Sequence, residues 1–199
     1  YPDERETICI GIWGKEESFF TLKGLVDTVA ETLFIDFEYV EDKKSFLHPY
    51  RTAKILYNGE EIGYLGQLTY EIQKEEDMRE SAYIAEIDLK ALRPVYGKVP
   101  TFTPISKFAK ETRDLALVMN KSVTCGEEEK AIAEASSFVE SVDLFDVYQG
   151  LQVGPEKKSM AFTVTFAPKE EEFTTEAVDG YVKKILKNLN NKLGVELRS

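Results

Sequence analysis

Asp146 and Tyr148 stand two residues apart in the segment LFDVYQG, whose alternation reads as a strand. On a strand, that spacing puts both side chains on one face. A tyrosine ring stacks on planar groups, and a nearby carboxylate accepts from two adjacent N–H donors. The combination suits the Watson–Crick edge of guanine, because unpaired bases are read by stacking plus edge contacts. The plainer reading is an ordinary sheet tyrosine beside a solvated charge, and spacing alone leaves both open.

Other residues with reactive chemistry are poorly supplied with partners. His48 is the only histidine, set before Pro49 and Arg51 in LHPYRTAK. A lone imidazole can be a base or a ligand, but no second His or neighbouring Cys completes a metal set, so a structural role is expected. Cys9 and Cys125 form no CxxC pair, which argues against a thiolate metal site or a disulfide framework and for a reducing, cytoplasmic setting. The glycines of IGYLG lack both the strand-to-helix context of a dinucleotide site and the Lys-Ser/Thr of a phosphate loop. No base–nucleophile pair stands at convincing spacing.

The elements that must position Asp146 and Tyr148 lie in the second half. Arg113–Met119 is expected as a strand, and Thr124 with Glu127 fits a capping box opening a helix through Ser136. Glu127, Glu128 and Glu129 then act as favourable charges at that helix start, and Glu170–Glu172 as a solvated turn. Ser141–Gly150 and Lys158–Phe166 read as two further strands. Thr174 caps a helix with an apolar stripe through Val178, Tyr181, Val182, Ile185, Leu186, Leu189 and Leu193, which Gly194 terminates before the short strand VELRS. The order βαββαβ predicts a ferredoxin-like domain, with both helices on one face of a four-stranded sheet. Parity then points Leu115, Leu117, Phe145, Val147, Met160, Phe162, Val164, Phe166, Val195 and Leu197 toward the helices. The open face receives Asp114, Ala116, Leu144, Asp146, Tyr148, Ser159, Ala161, Thr163, Thr165 and Arg198.

The first half reads as strand, helix, strand, hairpin, strand, a largely antiparallel α+β layer. Ile8, Ile10 and Ile12 alternate with Cys9 and Gly11. Leu22, Leu25, Val26, Val29 and Leu33 follow helical spacing, with Thr21 as N-cap. Ile35, Phe37 and Tyr39 alternate again, and Asn58-Gly59 marks a two-residue hairpin turn. Tyr83–Leu89 is a further strand. Three prolines between Arg93 and Pro104 predict an extended connector, with domains at 1–100 and 101–199.

The 199 residues carry a net charge of −11, which weighs against nucleic-acid partners, and no apolar run is long enough to span a membrane. Around Pro100 the charge divides unevenly: 12 basic and 20 acidic residues before it, 13 and 16 after it. The half with Asp146 and Tyr148 is therefore only −3. The opening YPDERETICI runs straight into strand-like sequence and reads as a cut inside a longer protein.

From Ile105 onward the chain resembles the ferredoxin-fold anticodon-binding domain that closes the beta subunit of bacterial-type phenylalanyl-tRNA synthetases. The matching motifs are ISKFAKETRDLALVM, LFDVYQG, KKSMAFTVTF, TTEAVDGYVKKI and GVELR. The first half resembles the preceding segment of that subunit, in FFTLKGLVDTVAETL, HPYRTAKI and IGYLGQL. The resemblance implies a C-terminal fragment whose first half is the end of a non-catalytic class II synthetase-like core. It also implies phenylalanine tRNA and an alpha subunit as partners in an α2β2 enzyme that uses ATP and magnesium, with none bound by this fragment, and neither DNA nor membrane as a partner. Family contact positions for the first anticodon base, a guanine, match Ala116, Asp146, Tyr148 and Ser159. By the same resemblance Tyr148 stacks, Asp146 accepts from the guanine edge, and Ser159 with the backbone near Ala116 completes the contact. Ala109 stands where the family usually has proline, which implies a local loop change. Lys107, Lys110, Lys157, Lys158, Lys183, Lys184, Lys187 and Lys192 are solvated charges that could offer positive potential to a tRNA backbone. The rival reading is a ferredoxin-like protein-interaction or small-molecule-sensing module, whose open face should be more continuously apolar.

Overall fold

The computed structural model describes residues 4–95, 97, 99, 101–102, 107–169 and 171–198. They fall into two compact units, the first ending at Phe102. Pro100, Pro104, Ile105 and Glu170 lie outside the described residues, and with them parts of the expected connector and acidic turn.

The first unit is a five-stranded antiparallel sheet with one long helix. Its strands are β1 (Thr7–Trp13), β2 (Glu38–Glu41), β3 (Leu47–Tyr57), β4 (Glu60–Leu68) and β5 (Ala82–Asp88), in the order β1-β5-β4-β3-β2. Helix α1 (Phe19–Thr32) buries Leu22 and Val26 against Ile55, Leu65, Tyr83, Ala85 and Ile87. Leu25, expected in that stripe, is exposed instead. The hairpin forms at Asn58-Gly59, both with positive φ, as a two-residue turn of matching twist demands.

Several expectations for this unit need correction. Thr21 is not the N-cap: Ser18 has the extended backbone and accepts from the Thr21 N–H at 3.1 Å, while Thr21 Oγ1 accepts from the Ser18 N–H at 3.2 Å. Two hydroxyls three residues apart form a capping box, and the upstream one is its cap. Ile35 and Phe37 precede the strand. The α1 terminus closes through Phe34 N–H to Glu31 and Ile35 N–H to Ala30, with Phe34 at φ +55, so the chain is still turning there. Short helices α2 (Tyr70–Glu75) and α3 (Leu89–Leu92) were not expected, and Arg93–Val95 coils into a 3-10 turn where an extended connector was predicted.

The second unit follows β6 (Glu111–Asn120), α4 (Cys125–Ala135), β7 (Val139–Tyr148), β8 (Lys157–Phe166), α5 (Thr175–Leu193) and β9 (Glu196–Leu197). Its antiparallel sheet has the order β7-β8-β6-β9, the ferredoxin-like arrangement. Thr124 and Glu127 form the predicted capping box of α4. Thr174 caps α5, and Gly194 at φ +64 ends it. Leu117, Ile132, Phe162, Val164, Phe166, Val178, Ile185 and Leu189 are buried together between helices and sheet. The Asn188 side-chain amide donates to the Ala131 carbonyl at 2.7 Å, tying α5 to α4.

The β7–β8 ladder has two register shifts, one between Val139 and Ser141 and one between Leu144 and Asp146, and the second breaks the expected parity. Leu144 pairs with Phe162 but Asp146 pairs with Ala161, so Phe145 is an extra residue in a β-bulge. Leu144 therefore shares the helix-side face with Phe162, opposite to expectation, and Phe145 is 60% exposed. Val147 and Leu197 do share the helix-side face, opposite Met160 and Leu117, but sit on edge strands and stay exposed.

Candidate functional site

The bulge restores the parity of Asp146 and Tyr148 just where it matters. Ala116 on β6 opposes Ala161 on β8, which opposes Asp146 on β7, forming one lateral row on the face that the helices leave open. In the next row Ser159 opposes Tyr148. With strands about 4.8 Å apart, Ala116, Asp146, Tyr148 and Ser159 surround a single small floor. The Arg198 N–H donates to the Ala116 carbonyl at 2.8 Å and extends the first row to the opposite edge.

The floor is flat because its central residues are small. Its rim is built from long side chains. The Arg198 guanidinium carbon lies 5.0 Å from the Tyr148 ring centroid, a cation–π distance, and its Nη2 donates to Gln152 Oε1 at 2.9 Å. Ser159 is only 3% exposed and Ala161 8%, although no helix covers this face. The Tyr148 ring is placed by Gly150: a Cβ there would lie 2.4 Å from the Tyr148 hydroxyl oxygen. On the row beyond Asp146, Thr163 donates to Asp114 Oδ1 at 2.7 Å. The roles of Gly150, Gln152 and Arg198 escaped the sequence reading. Arg198 was placed on the open face by parity, but nothing local shows that its side chain meets the Tyr148 ring.

The other reactive groups gather no site. The Nδ1 of His48 accepts from the Tyr50 N–H at 3.2 Å, and its ring meets the Tyr50 ring. Among the described residues no three His, Cys, Asp or Glu side chains converge to hold a metal ion. Cys125 donates to Glu129 Oε1 at 3.3 Å, and burial with that carboxylate pushes its thiol up to about 12. Glu127 behaves as expected: bonds from Thr124, backbone first, hold its carboxyl below the usual range. Glu128 does not. It is fully buried, neither carboxylate oxygen has a hydrogen-bond partner, and burial pushes it up to about 7 against the opposing pull of Lys158. Several lysines expected to be solvated are already engaged: Lys110 with Glu140 at 2.5 Å, and Lys192 with Glu134 at 2.7 Å. Among the described residues no helix is long and apolar enough to cross a membrane.

Comparison with known proteins gives the site a context. Residues 106–198 match the family described as "Ferredoxin-fold anticodon binding domain", and residues 1–89 match "Phenylalanyl tRNA synthetase beta chain CLM domain". The chain is 37% identical, over 99% of its length, to the phenylalanine–tRNA ligase beta subunit of Bacillus subtilis (strain 168). It is 34% identical over 92% of its length to that of Listeria monocytogenes serotype 4b, and 32% over 99% to that of Clostridium acetobutylicum. It covers 26%, 23% and 25% of those proteins, so it spans about a quarter of the length of the curated relatives it matches. The motifs on both sheets and the similarity along nearly the whole chain place this protein in the phenylalanine–tRNA ligase beta-subunit family.

Proposed function

We propose that this chain serves a phenylalanine–tRNA ligase, in which its second unit reads the anticodon of phenylalanine tRNA and its first unit packs as part of a non-catalytic class II synthetase-like core. The first anticodon base, a guanine, lies on the floor of Ala116, Ala161 and Ser159. Tyr148 stacks on it, and Asp146 accepts from its two adjacent N–H donors. Ser159 and the backbone near Ala116 complete the contact. The observation that carries this reading is the convergence of Ala116, Asp146, Tyr148 and Ser159 on the one sheet face without helices.

Under this reading catalysis belongs to an alpha-subunit partner in an α2β2 cytoplasmic enzyme. ATP and magnesium act there. Affinity for RNA comes mainly from other parts of the enzyme, since the second half carries a net −3 and the floor is bordered by Asp114, Asp143 and Asp146. This unit selects one base; it does not anchor the RNA.

The protein-interaction alternative predicts a continuously apolar open face. The rows Asp143–Thr163–Asp114 and Ser141–Thr165 are polar, which favours the RNA reading. The exposed apolar residues Leu144, Phe145 and Val147 lie instead along the edge strand β7. In the intact enzyme, Asp146→Ala and Tyr148→Ala are expected to raise KM for tRNA while amino-acid activation is unchanged, about tenfold for Tyr148→Ala, a stacking loss of ~1.4 kcal/mol. Unchanged tRNA kinetics in both variants would overturn the assignment. Stem-loops differing only at the first anticodon base give the direct test, with guanine expected to bind best.

A further inference from the structure

The floor assigned to the base is already covered by the protein's own side chain. Arg198 is anchored beside β6 by its backbone, on the side of the sheet opposite β7, where Tyr148 resides. Its guanidinium nevertheless lies 5.0 Å from the Tyr148 ring centroid, so the arginine reaching over β6 and the tyrosine leaning in from β7 together bridge the strands between them. Ser159 and Ala161 stand on β8, between the strands that carry these two side chains, and are nearly fully buried on a face that no helix covers. The small side chains at 116, 159 and 161 leave room for that bridge.

Shape and donor pattern give this arrangement its meaning. A guanidinium is planar, stacks on aromatic rings and presents parallel N–H donors. Guanine contains the same guanidine unit in its Watson–Crick edge. The face therefore holds, from its own chain, a group matching the base that it is proposed to read, with one donor satisfied by Gln152 Oε1 at 2.9 Å.

We propose that Arg198 is a built-in placeholder, whose guanidinium occupies the guanine position on Tyr148 in the absence of RNA and is displaced by the incoming base. The proposal rests on the anticodon reading above. It also sharpens selection. Any base that displaces Arg198 must replace a cation–π contact and supply donors to Asp146. Guanine does both, whereas a base without two adjacent donors on that edge replaces the stack alone.

The test follows the Arg198 side-chain Nε–H by NMR in the 199-residue chain, assigned by its loss in Arg198→Lys. In the free chain the Tyr148 ring current shifts this signal upfield, and Tyr148→Leu abolishes the shift. Titration with a stem-loop carrying guanine at the first anticodon position is expected to move the signal to its unstacked value in proportion to occupancy. Arg198→Ala, which removes the competitor, is expected to tighten guanosine binding about threefold, the worth of an exposed cation–π contact. An upfield signal that persists in the bound state, or weaker guanosine binding by Arg198→Ala, overturns the placeholder while leaving the anticodon reading intact. Unchanged tRNA kinetics for Asp146→Ala and Tyr148→Ala in the intact enzyme overturn the anticodon reading itself, and the placeholder with it.

Discussion

In the five-stranded sheet, the face turned away from α1 carries Cys9, Glu86, Tyr64 and Lys54 in one lateral row. Its central members bond to each other. The Tyr64 hydroxyl donates to Glu86 Oε2 at 2.9 Å, the Lys44 ammonium sits 4.8 Å from the Tyr64 ring centroid, and Phe46 meets that ring edge-on. Burial and the Glu86 carboxylate push the Tyr64 hydroxyl up to about 12. In the four-stranded sheet the corresponding row is Asp146, Ala161, Ala116 and Arg198. Its centre is two methyl groups, its tyrosine is one row away, and that ring is met by a single arginine from the far edge strand. Both sheets are antiparallel layers with helices on one side. Side-chain size at the centre of the row separates a closed face from a receptive one, so function here lives in the residues and not in the architecture.

The sharpest way to break this contrast uses the glycines. Gly63 in β4 lies against backbone: a Cβ there would fall 2.1 Å from the Glu86 carbonyl oxygen and 3.0 Å from Ile87 Cα. Neither neighbour can swing aside without disturbing the β4–β5 ladder. Gly63→Ala is expected to destabilise the first unit by about 3 kcal/mol, at the upper end of overpacking costs. Amide exchange should accelerate across β4 and β5, while β6 to β8 keep their protection. Unchanged exchange in β5 would show that the ladder tolerates the added methyl.

A second contrast runs within one helix turn. Glu128 is buried without partners and has its carboxyl pushed up to about 7, whereas the exposed Glu127 is held below its usual value. The signs oppose. Below the unfolded carboxyl value of about 4.5, Glu128 is protonated in both states and costs nothing through ionisation. Between about 4.5 and 7 the unfolded chain ionises first, so stability falls as pH rises and then levels off. Glu127 contributes stability above its unfolded value and loses it as pH falls. Glu128→Gln is expected to stabilise the second unit by about 2 kcal/mol at pH 8, with the gain vanishing near pH 4.5, read as Tm against pH. A gain independent of pH would show that packing, not ionisation, controls this position.

The two tyrosines give a comparison of RNA affinity. Tyr148→Ala removes the proposed stacking surface and is expected to weaken stem-loop binding about tenfold, ~1.4 kcal/mol. Tyr64→Phe removes a hydroxyl whose bond is internal to the first unit and is expected to leave that affinity unchanged. Equal losses in both would erase the distinction between closed and receptive faces.

Much of the second unit was legible because its signals are periodic and local. The capping box at Thr124, the stripe of α5 and the glycine at 194 each stand where their elements begin, run or end. The site residues were legible through parity, yet parity is fragile: one inserted residue at Phe145 reverses it, and no local signal marks a bulge. Leu144 was misplaced for that reason, while Asp146 and Tyr148 lie beyond the bulge. Glu128 offered a missed signal. It stands three and four residues before Ala131 and Ile132, on the buried stripe, but a run of three glutamates reads as solvated charge. Arg198 offered none, since its reach depends on which strands separate it from Tyr148.

Gly150 gives the smallest expected effect and the finest probe. Its added Cβ would meet the hydroxyl end of Tyr148 at 2.4 Å and the ring at 2.7 Å, so the colliding group is a side chain on the open face and not a backbone ladder. The ring can tilt, which Glu86 in the first unit cannot do for Gly63. Gly150→Ala should therefore leave Tm nearly unchanged but turn Tyr148 away from both Arg198 and the floor. Stem-loop affinity is expected to fall about threefold, less than in Tyr148→Ala because the ring remains available. Combining the two substitutions should cost no more than Tyr148→Ala alone, since Gly150 acts only through that ring. A further loss in the double variant would mean that Gly150 contacts the RNA itself.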